Sequence, residues 1–124
     1  MKIFNIFFKY WLPVFAWAGL IFYFSSLPNL KSSFEPSLDY ILRKTAHLLE
    51  FGILAVSLLR LGLRKEQEKN KKFVYLGAIL FGLLYAIIDE YHQGFVLGRE
   101  ATVRDVLIDG MGIVSISGLY LLRK

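Results

Sequence analysis

The sequence predicts an all-α protein, a four-helix transmembrane bundle with the N- and C-termini cytoplasmic. Three observations lead there. Hydrophobic residues make up 56% of the 124 residues and aromatics 16%, and the mean hydropathy is +0.49. A soluble domain reaches about 45–50% apolar only when glycine is included. The chain also holds uncharged runs of 21 residues (10–30) and 16 residues (73–88), the first about the length of one bilayer crossing. Finally, its charges divide unevenly between alternate connections. This composition excludes a disordered chain and a stand-alone nucleic-acid module, despite a net charge of +5 and a pI near 9.5. The absence of cysteine excludes disulfide scaffolds, cysteine zinc sites and thiol nucleophiles. One domain, 1–124, is expected, with spans at about 10–30, 43–63, 73–93 and 103–122.

The first span is a retained helix. A cleavable signal has a shorter apolar core and a small-residue cleavage site, whereas this run is rich in Trp and Phe and closes on Ser25-Ser26-Leu27-Pro28. The second span carries charges near its start. The third and fourth are too short unless their charged ends enter the membrane, because a core of about 30 Å needs roughly 20 helical residues. The run 73–88 supplies about 24 Å, so the third helix should continue through Asp89 and Glu90 to Gln93. The run 110–122 supplies about 20 Å, so the fourth should begin near Val103 and include Arg104, Asp105 and Asp109.

Orientation follows from the basic residues. Lys2, Lys9, Arg60, Arg64, Lys65, Lys69, Lys71, Lys72, Arg123 and Lys124 share one side with two acids. The other side has five basic residues (Lys31, Arg43, Lys44, Arg99 and Arg104) against eight acids. The positive-inside rule makes the first side cytoplasmic. The 64–72 run then reads as a solvated loop and topology anchor.

The charges inside the spans carry the functional signal. Measured by helical rise from the cytoplasmic ends, Ser25, His47, Glu50, Asp89, Asp105 and Asp109 all stand roughly 20–25 Å up. Four helices thus bring polar groups to one level below the outer surface. Such groups are costly in lipid and face a bundle interior or a watery cavity. Lys44, His47 and Glu50 are three apart and share a helix face, as do Asp105 with Asp109 and Asp89 with Gln93, four apart. Asp89 and Glu90 diverge by about 100°, so one is expected inward, Asp89 by its shared face with Gln93, and the other paired with Arg99 or Arg104. Lys44 at a helix N-terminus and Asp89 or Glu90 at a C-terminus are each misplaced against the macrodipole, which makes pairing between them the expected contact. Thr102 and Asp105 are spaced as a capping box. His92 receives no role beyond the lip of the bundle. Glycines at 77, 82, 110, 112 and 118 read as close helix packing.

These residues support acid–base chemistry, since a histidine titrates near neutral pH and can transfer protons. The candidate catalytic groups are His47, Glu50, Asp89, Asp105 and Asp109. Lys44, Glu90, Gln93 and Arg99 are candidate substrate-binding residues, Arg99 as a bidentate clamp for a phosphate or carboxylate. The plainer alternative is a hydrogen-bonded structural layer. No metal or other cofactor is expected, because the chain has only two histidines and Lys44 already supplies counter-charge.

Two segments of this layer carry a resemblance. Arg43-Lys44-Thr45-Ala46-His47-Leu48-Leu49-Glu50-Phe51 resembles the Lys-x-x-His-x-x-Glu-aromatic segment of the VanZ-like membrane family. Asp89-Glu90-Tyr91-His92-Gln93, then Gly98-Arg99, Asp105, Asp109 and Gly112, is similar to its second half, and Ser25-Ser26-Leu27-Pro28 to the end of its first helix. Leu97 departs from the proline usual before Gly-Arg. The resemblance implies a small helical protein of the cell membrane linked to glycopeptide resistance, to teicoplanin more than vancomycin. Three mechanisms remain open: an enzyme on an envelope lipid or peptidoglycan precursor, a non-catalytic binder or shield of such a headgroup or of the antibiotic, and a proton-coupled transporter. The uncharged cytoplasmic halves of the spans weigh against transport. The expected partners are the lipid bilayer and one of these ligands, with no nucleic acid, and a homo-oligomer remains open.

Overall fold

A computed structural model describes residues 2–27, 36–64, 70–96 and 101–123. Four helices account for nearly all of them: α1 (Lys2–Ser26), α2 (Pro36–Gly62), α3 (Lys71–Gln93) and α4 (Val103–Arg123). All four are long and apolar enough to cross a membrane, and no strand occurs among the described residues. They alternate in direction, so α2 and α4 run parallel to each other and antiparallel to α1 and α3.

Local chemistry sets the ends. Pro36 opens α2, where a missing N–H costs nothing. Asn70 caps α3, its side chain accepting from the Lys72 N–H at 3.0 Å. α3 runs through Asp89 and Glu90 to Gln93, and α4 starts at Val103, so the charged residues at these ends are helical. α1 differs most from the expected span: it begins at Lys2 and ends at Ser26, while residues 28–30 lie outside the described residues. Lys9 does not stop the helix, because its ammonium folds over the Tyr10 ring, 5.4 Å from the centroid. Instead the chain widens into a π-turn at Phe7–Trp11, with the Leu12 N–H reaching back to the Phe7 carbonyl. Pro13 explains this irregularity, since it has no N–H to offer the Lys9 carbonyl four residues earlier. That carbonyl is met from α2, where Arg60 Nη2 donates to it at 3.4 Å and the guanidinium lies 5.7 Å from the Tyr10 ring.

The closest packing joins α2 to α4, which are not consecutive in sequence. Glycine makes it possible. A Cβ at Gly112 would land on the Leu48 backbone, and one at Gly52 on the Ile116 side chain. In lipid, where apolar side chains gain little by leaving the bilayer, such close approach is the main source of helix association. Ile21, Phe51, Leu54, Ala55, Ala86 and Ile113 form a fully buried cluster midway along the bundle, and Leu59, Leu63 and Ala78 a second nearer the termini. The outward faces are apolar, with Phe8, Phe15, Leu80, Phe81 and Leu119 all exposed, as a lipid-facing surface requires.

Candidate functional site

At the end of the bundle away from the termini, buried polar side chains from all four helices meet. α2 contributes Lys44 and His47, and the Gly112 approach brings α4 close enough for both to reach it. Lys44 forms an ion pair with Asp105, and His47 Nδ1 stands 3.2 Å from Asp109 Oδ1. The dipole argument had paired Lys44 with Asp89 or Glu90 on α3. The structure corrects this: α4 is the nearer neighbour, and Asp105 opens α4, where an anion suits the helix dipole.

From His47 the contacts continue into α3 and α1. Gln93 Nε2 lies 3.4 Å from His47 Nε2, 3.1 Å from Ser25 Oγ and 3.1 Å from Asp89 Oδ2. Ser25 in turn donates to Asp89 Oδ2 at 2.9 Å. A carboxylate only accepts, so the imidazole proton sits on Nδ1 and is directed at Asp109, which leaves the lone pair on Nε2 beside Gln93. A polar chain Asp109–His47–Gln93–Ser25–Asp89 therefore crosses the bundle.

Both adjacent acids of α3 are buried, Asp89 2% and Glu90 3% exposed, where only one had been expected inward. Their 100° divergence aims them at different helices. Asp89 faces Ser25 of α1, and Glu90 faces the start of α4, where its Oε1 accepts the Thr102 N–H at 3.0 Å. Of the two arginines expected to pair with the second acid, Arg104 is exposed with its guanidinium 5.5 Å from the Tyr40 ring, and Arg99 lies outside the described residues. Thr102 does cap α4, its hydroxyl accepting from the Asp105 N–H at 3.2 Å. The return bond of a capping box goes to Glu90, because the Asp105 carboxylate is turned to Lys44. Glu50 is half-buried on α2, one turn from His47 towards the termini. Arg99, with Leu97 and Gly98, lies outside the described residues.

His92 is the residue that sequence reasoning left without a part. Its ring stacks on Phe22 at 4.5 Å, and its Nε2 is 2.9 Å from Ser26 Oγ, whose own proton goes to the Phe22 carbonyl at 2.7 Å. The signal was present in the sequence: Ser25 with Gln93 and Ser26 with His92 are neighbouring pairs of one α1–α3 contact.

Three oxygens in the layer, Asp89 Oδ1, Glu90 Oε2 and Asp109 Oδ2, are buried and have no hydrogen-bond partner within the protein. Among the described residues no three His, Asp or Glu side chains gather as a metal centre requires. Exposure grades across the layer, with the side chains of Lys44 at 24%, His47 at 17%, Asp105 at 11% and Asp109 at 1%, so it is reached from the end of the bundle through Lys44 and His47. Beyond it towards the termini lie Phe51, Leu54, Ala55 and Ile113. The buried hydroxyls there, Ser57 and Ser117, are spent on the carbonyls of Ile53 and Ile113 in their own helices.

Comparison with known proteins adds one match. The family model VanZ/LLP1 covers residues 4–124, essentially the whole chain. No curated protein and no solved structure matches it.

Proposed function

This chain belongs to the VanZ/LLP1 family of membrane proteins, and from that premise we propose that its polar layer is the functional site, open to the outer face of the cell membrane. The role is in glycopeptide resistance, teicoplanin above vancomycin, through binding or modifying an envelope lipid or peptidoglycan precursor. The outward orientation rests on the excess of Lys and Arg at the termini end.

The observation that carries this reading is the setting of His47. Asp109 holds Nδ1–H, which fixes the tautomer and supports a positive charge on the ring. Nε2 keeps a lone pair beside the buried Gln93 amide, at a long 3.4 Å. A substrate O–H or N–H that displaces the Gln93 amide would meet a base already oriented for proton transfer. Asp89 and Asp105 shape the surrounding field, Glu50 adds negative charge one turn away, and Lys44 stands at the mouth for an anionic group. Arg99 is assigned to that mouth by the family resemblance alone.

The layer's mutual hydrogen bonds favour a second reading, a non-catalytic binder or shield, because Ser25, Gln93 and Asp89 already partner one another. The apolar cluster of Phe51, Leu54, Ala55 and Ile113, which lies between the layer and the termini among the described residues, weighs against transport.

The test is drug susceptibility in a Gram-positive host at matched membrane levels, with teicoplanin beside vancomycin. Empty vector, wild type and the double variant His47→Ala with Glu50→Gln are compared. Protection by wild type that disappears in the double variant supports the reading. Protection that survives makes the layer structural. Turnover of an envelope lipid by the purified protein then separates enzyme from binder.

A further inference from the structure

Hydrogen-bond supply and demand within the layer are unequal. Most donors described there are spent: Ser25 on Asp89, Gln93 on Ser25 and Asp89, His47 on Asp109, and the Thr102 N–H on Glu90, while Lys44 meets Asp105 and stands part-exposed at the mouth. Each buried side-chain polar atom without a partner is a carboxylate oxygen, one each on Asp89, Glu90 and Asp109. These residues are 97–99% buried, and a buried acceptor without a donor costs free energy at every site. Charge is unequal in the same direction. Among the described residues, the four buried acids Asp89, Glu90, Asp105 and Asp109 are set against the side chains of Lys44 and His47. Among the described residues, what the buried part of this layer lacks is a cationic donor.

We infer that the layer binds a primary ammonium group, presented by an aminolipid headgroup at the mouth or by a soluble amine. An ammonium brings N–H donors and one positive charge together, so even where it reaches one of these divergent carboxylates it answers both deficits. A hydroxyl meets only the first. A metal ion draws its ligands to about 2.0–2.6 Å, and no such gathering of side chains occurs among the described residues. An N–H···O contact of about 2.9 Å suits acceptors spread more widely. The mouth suits an ammonium that carries a nearby phosphate. Lys44 and Arg104 both flank the exposed Tyr40 ring, at 5.4 and 5.5 Å, and Arg104 is itself exposed to an anion. Phosphoethanolamine has both features. This inference rests on the layer's being the functional site and names the ligand class that it takes.

The experiment uses the full-length chain in detergent micelles and measures lipid affinity by native mass spectrometry. Phosphatidylethanolamine is compared with phosphatidylcholine, which keeps the charge and lacks N–H, and with phosphatidylglycerol, which has no amine. Soluble phosphoethanolamine serves as competitor, and Mg2+ as a separate ligand. Phosphatidylethanolamine should bind at least about tenfold more tightly than either other lipid, the factor that one charge-assisted hydrogen bond supplies. The preference should vanish in Asp89→Asn with Asp109→Asn. Competition by phosphoethanolamine supports recognition of the headgroup alone, and preference without competition supports a lipid-borne amine. Equal binding of phosphatidylcholine, tighter binding of phosphatidylglycerol, or displacement of the amine by Mg2+ each overturns the inference, and the wild-type comparison needs no variant to fold. If the layer variants abolish drug protection while wild type shows no amine preference, the functional site stands and the ligand class falls. An amine preference in a chain whose layer variants still protect does the reverse.

Discussion

Replacing Gly112 by alanine tests the contact on which the site depends. The new Cβ would stand 2.9 Å from the Leu48 carbonyl carbon and 3.0 Å from its Cα, with the carbonyl oxygen closer still. Ordinary carbon–carbon contact is about 3.5–4.0 Å. The receiving atoms are helix backbone and have no rotamer to adopt, so α2 and α4 must part by about 0.5–1 Å. Overpacking of this kind costs about 1–3 kcal/mol. The separation also falls where His47, next to Leu48, meets Asp109, one turn before Gly112. A 3.2 Å contact lengthened to about 4 Å is no longer a hydrogen bond, and a second buried oxygen of Asp109 left bare adds about 1–3 kcal/mol. The expected loss is therefore about 2–6 kcal/mol, together with loss of drug protection. Gly77→Ala on α3 is the control, since nothing lies within 4 Å of that Cβ. It should be neutral or stabilising by up to about 1 kcal/mol through helix propensity. Reversible unfolding of purified protein in mixed micelles, followed by tryptophan emission, measures both. A Gly112→Ala protein within about 0.5 kcal/mol of wild type, the range of an ordinary surface change, would refute the α2–α4 backbone contact and the site built on it.

Three further outcomes are expected in the same unfolding assay. Lys44→Met and Asp105→Asn should show a coupling energy of about 1 kcal/mol or more, while Lys44→Met and Asp89→Asn should be additive; the opposite pattern would return Lys44 to α3. Ser25→Ala removes a donor from buried Asp89 and should cost about 1–3 kcal/mol; a neutral Ser25→Ala would mean that α1 is held elsewhere. Arg60→Met should cost about 0.5–1.5 kcal/mol, and the cost should shrink in a Pro13→Ala background, where an N–H returns to the Lys9 carbonyl. An unchanged cost would show that Arg60 acts through the Tyr10 ring alone.

Much of this arrangement was legible before any coordinates. Bilayer thickness and helical rise together require α3 to pass Asp89 and α4 to begin near Val103, because an apolar run that is too short must borrow its charged neighbours. The shared faces of Lys44 with His47 and of Asp89 with Gln93 followed from spacing. Neighbour identity was not legible. Periodicity states which residues share a face, never which helix that face meets, so the macrodipole became the arbiter for Lys44 and selected α3. A dipole preference of tenths of a kcal/mol cannot compete with backbone contact set by Gly112. The start of α1 was missed for a similar reason. A charge at Lys9 usually marks a membrane boundary, but here the side chain lies over Tyr10 and the helix continues through a π-turn. The unpartnered oxygens of Asp89, Glu90 and Asp109 have no sequence signature, because satisfaction of a polar group is a property of three dimensions.

α1 fastens to the bundle in an unusual way. Two of its residues are buried, Ile21 and Ser25. Polar ties at three heights hold it: Arg60 on the Lys9 carbonyl, the Tyr85 hydroxyl on the Ala18 carbonyl at 2.5 Å, and Ser25 and Ser26 on Asp89 and His92. The last three partners are translated 64 to 67 residues after the groups they meet. During synthesis α1 can meet α2 through Arg60, but its ties at Ala18, Ser25 and Ser26 must wait until α3 is made. Until that moment Ser25 has no Asp89 to meet. The segment that leaves the ribosome first thus gains its partners in the layer late, and the layer is complete only once α4 has brought Asp105 and Asp109.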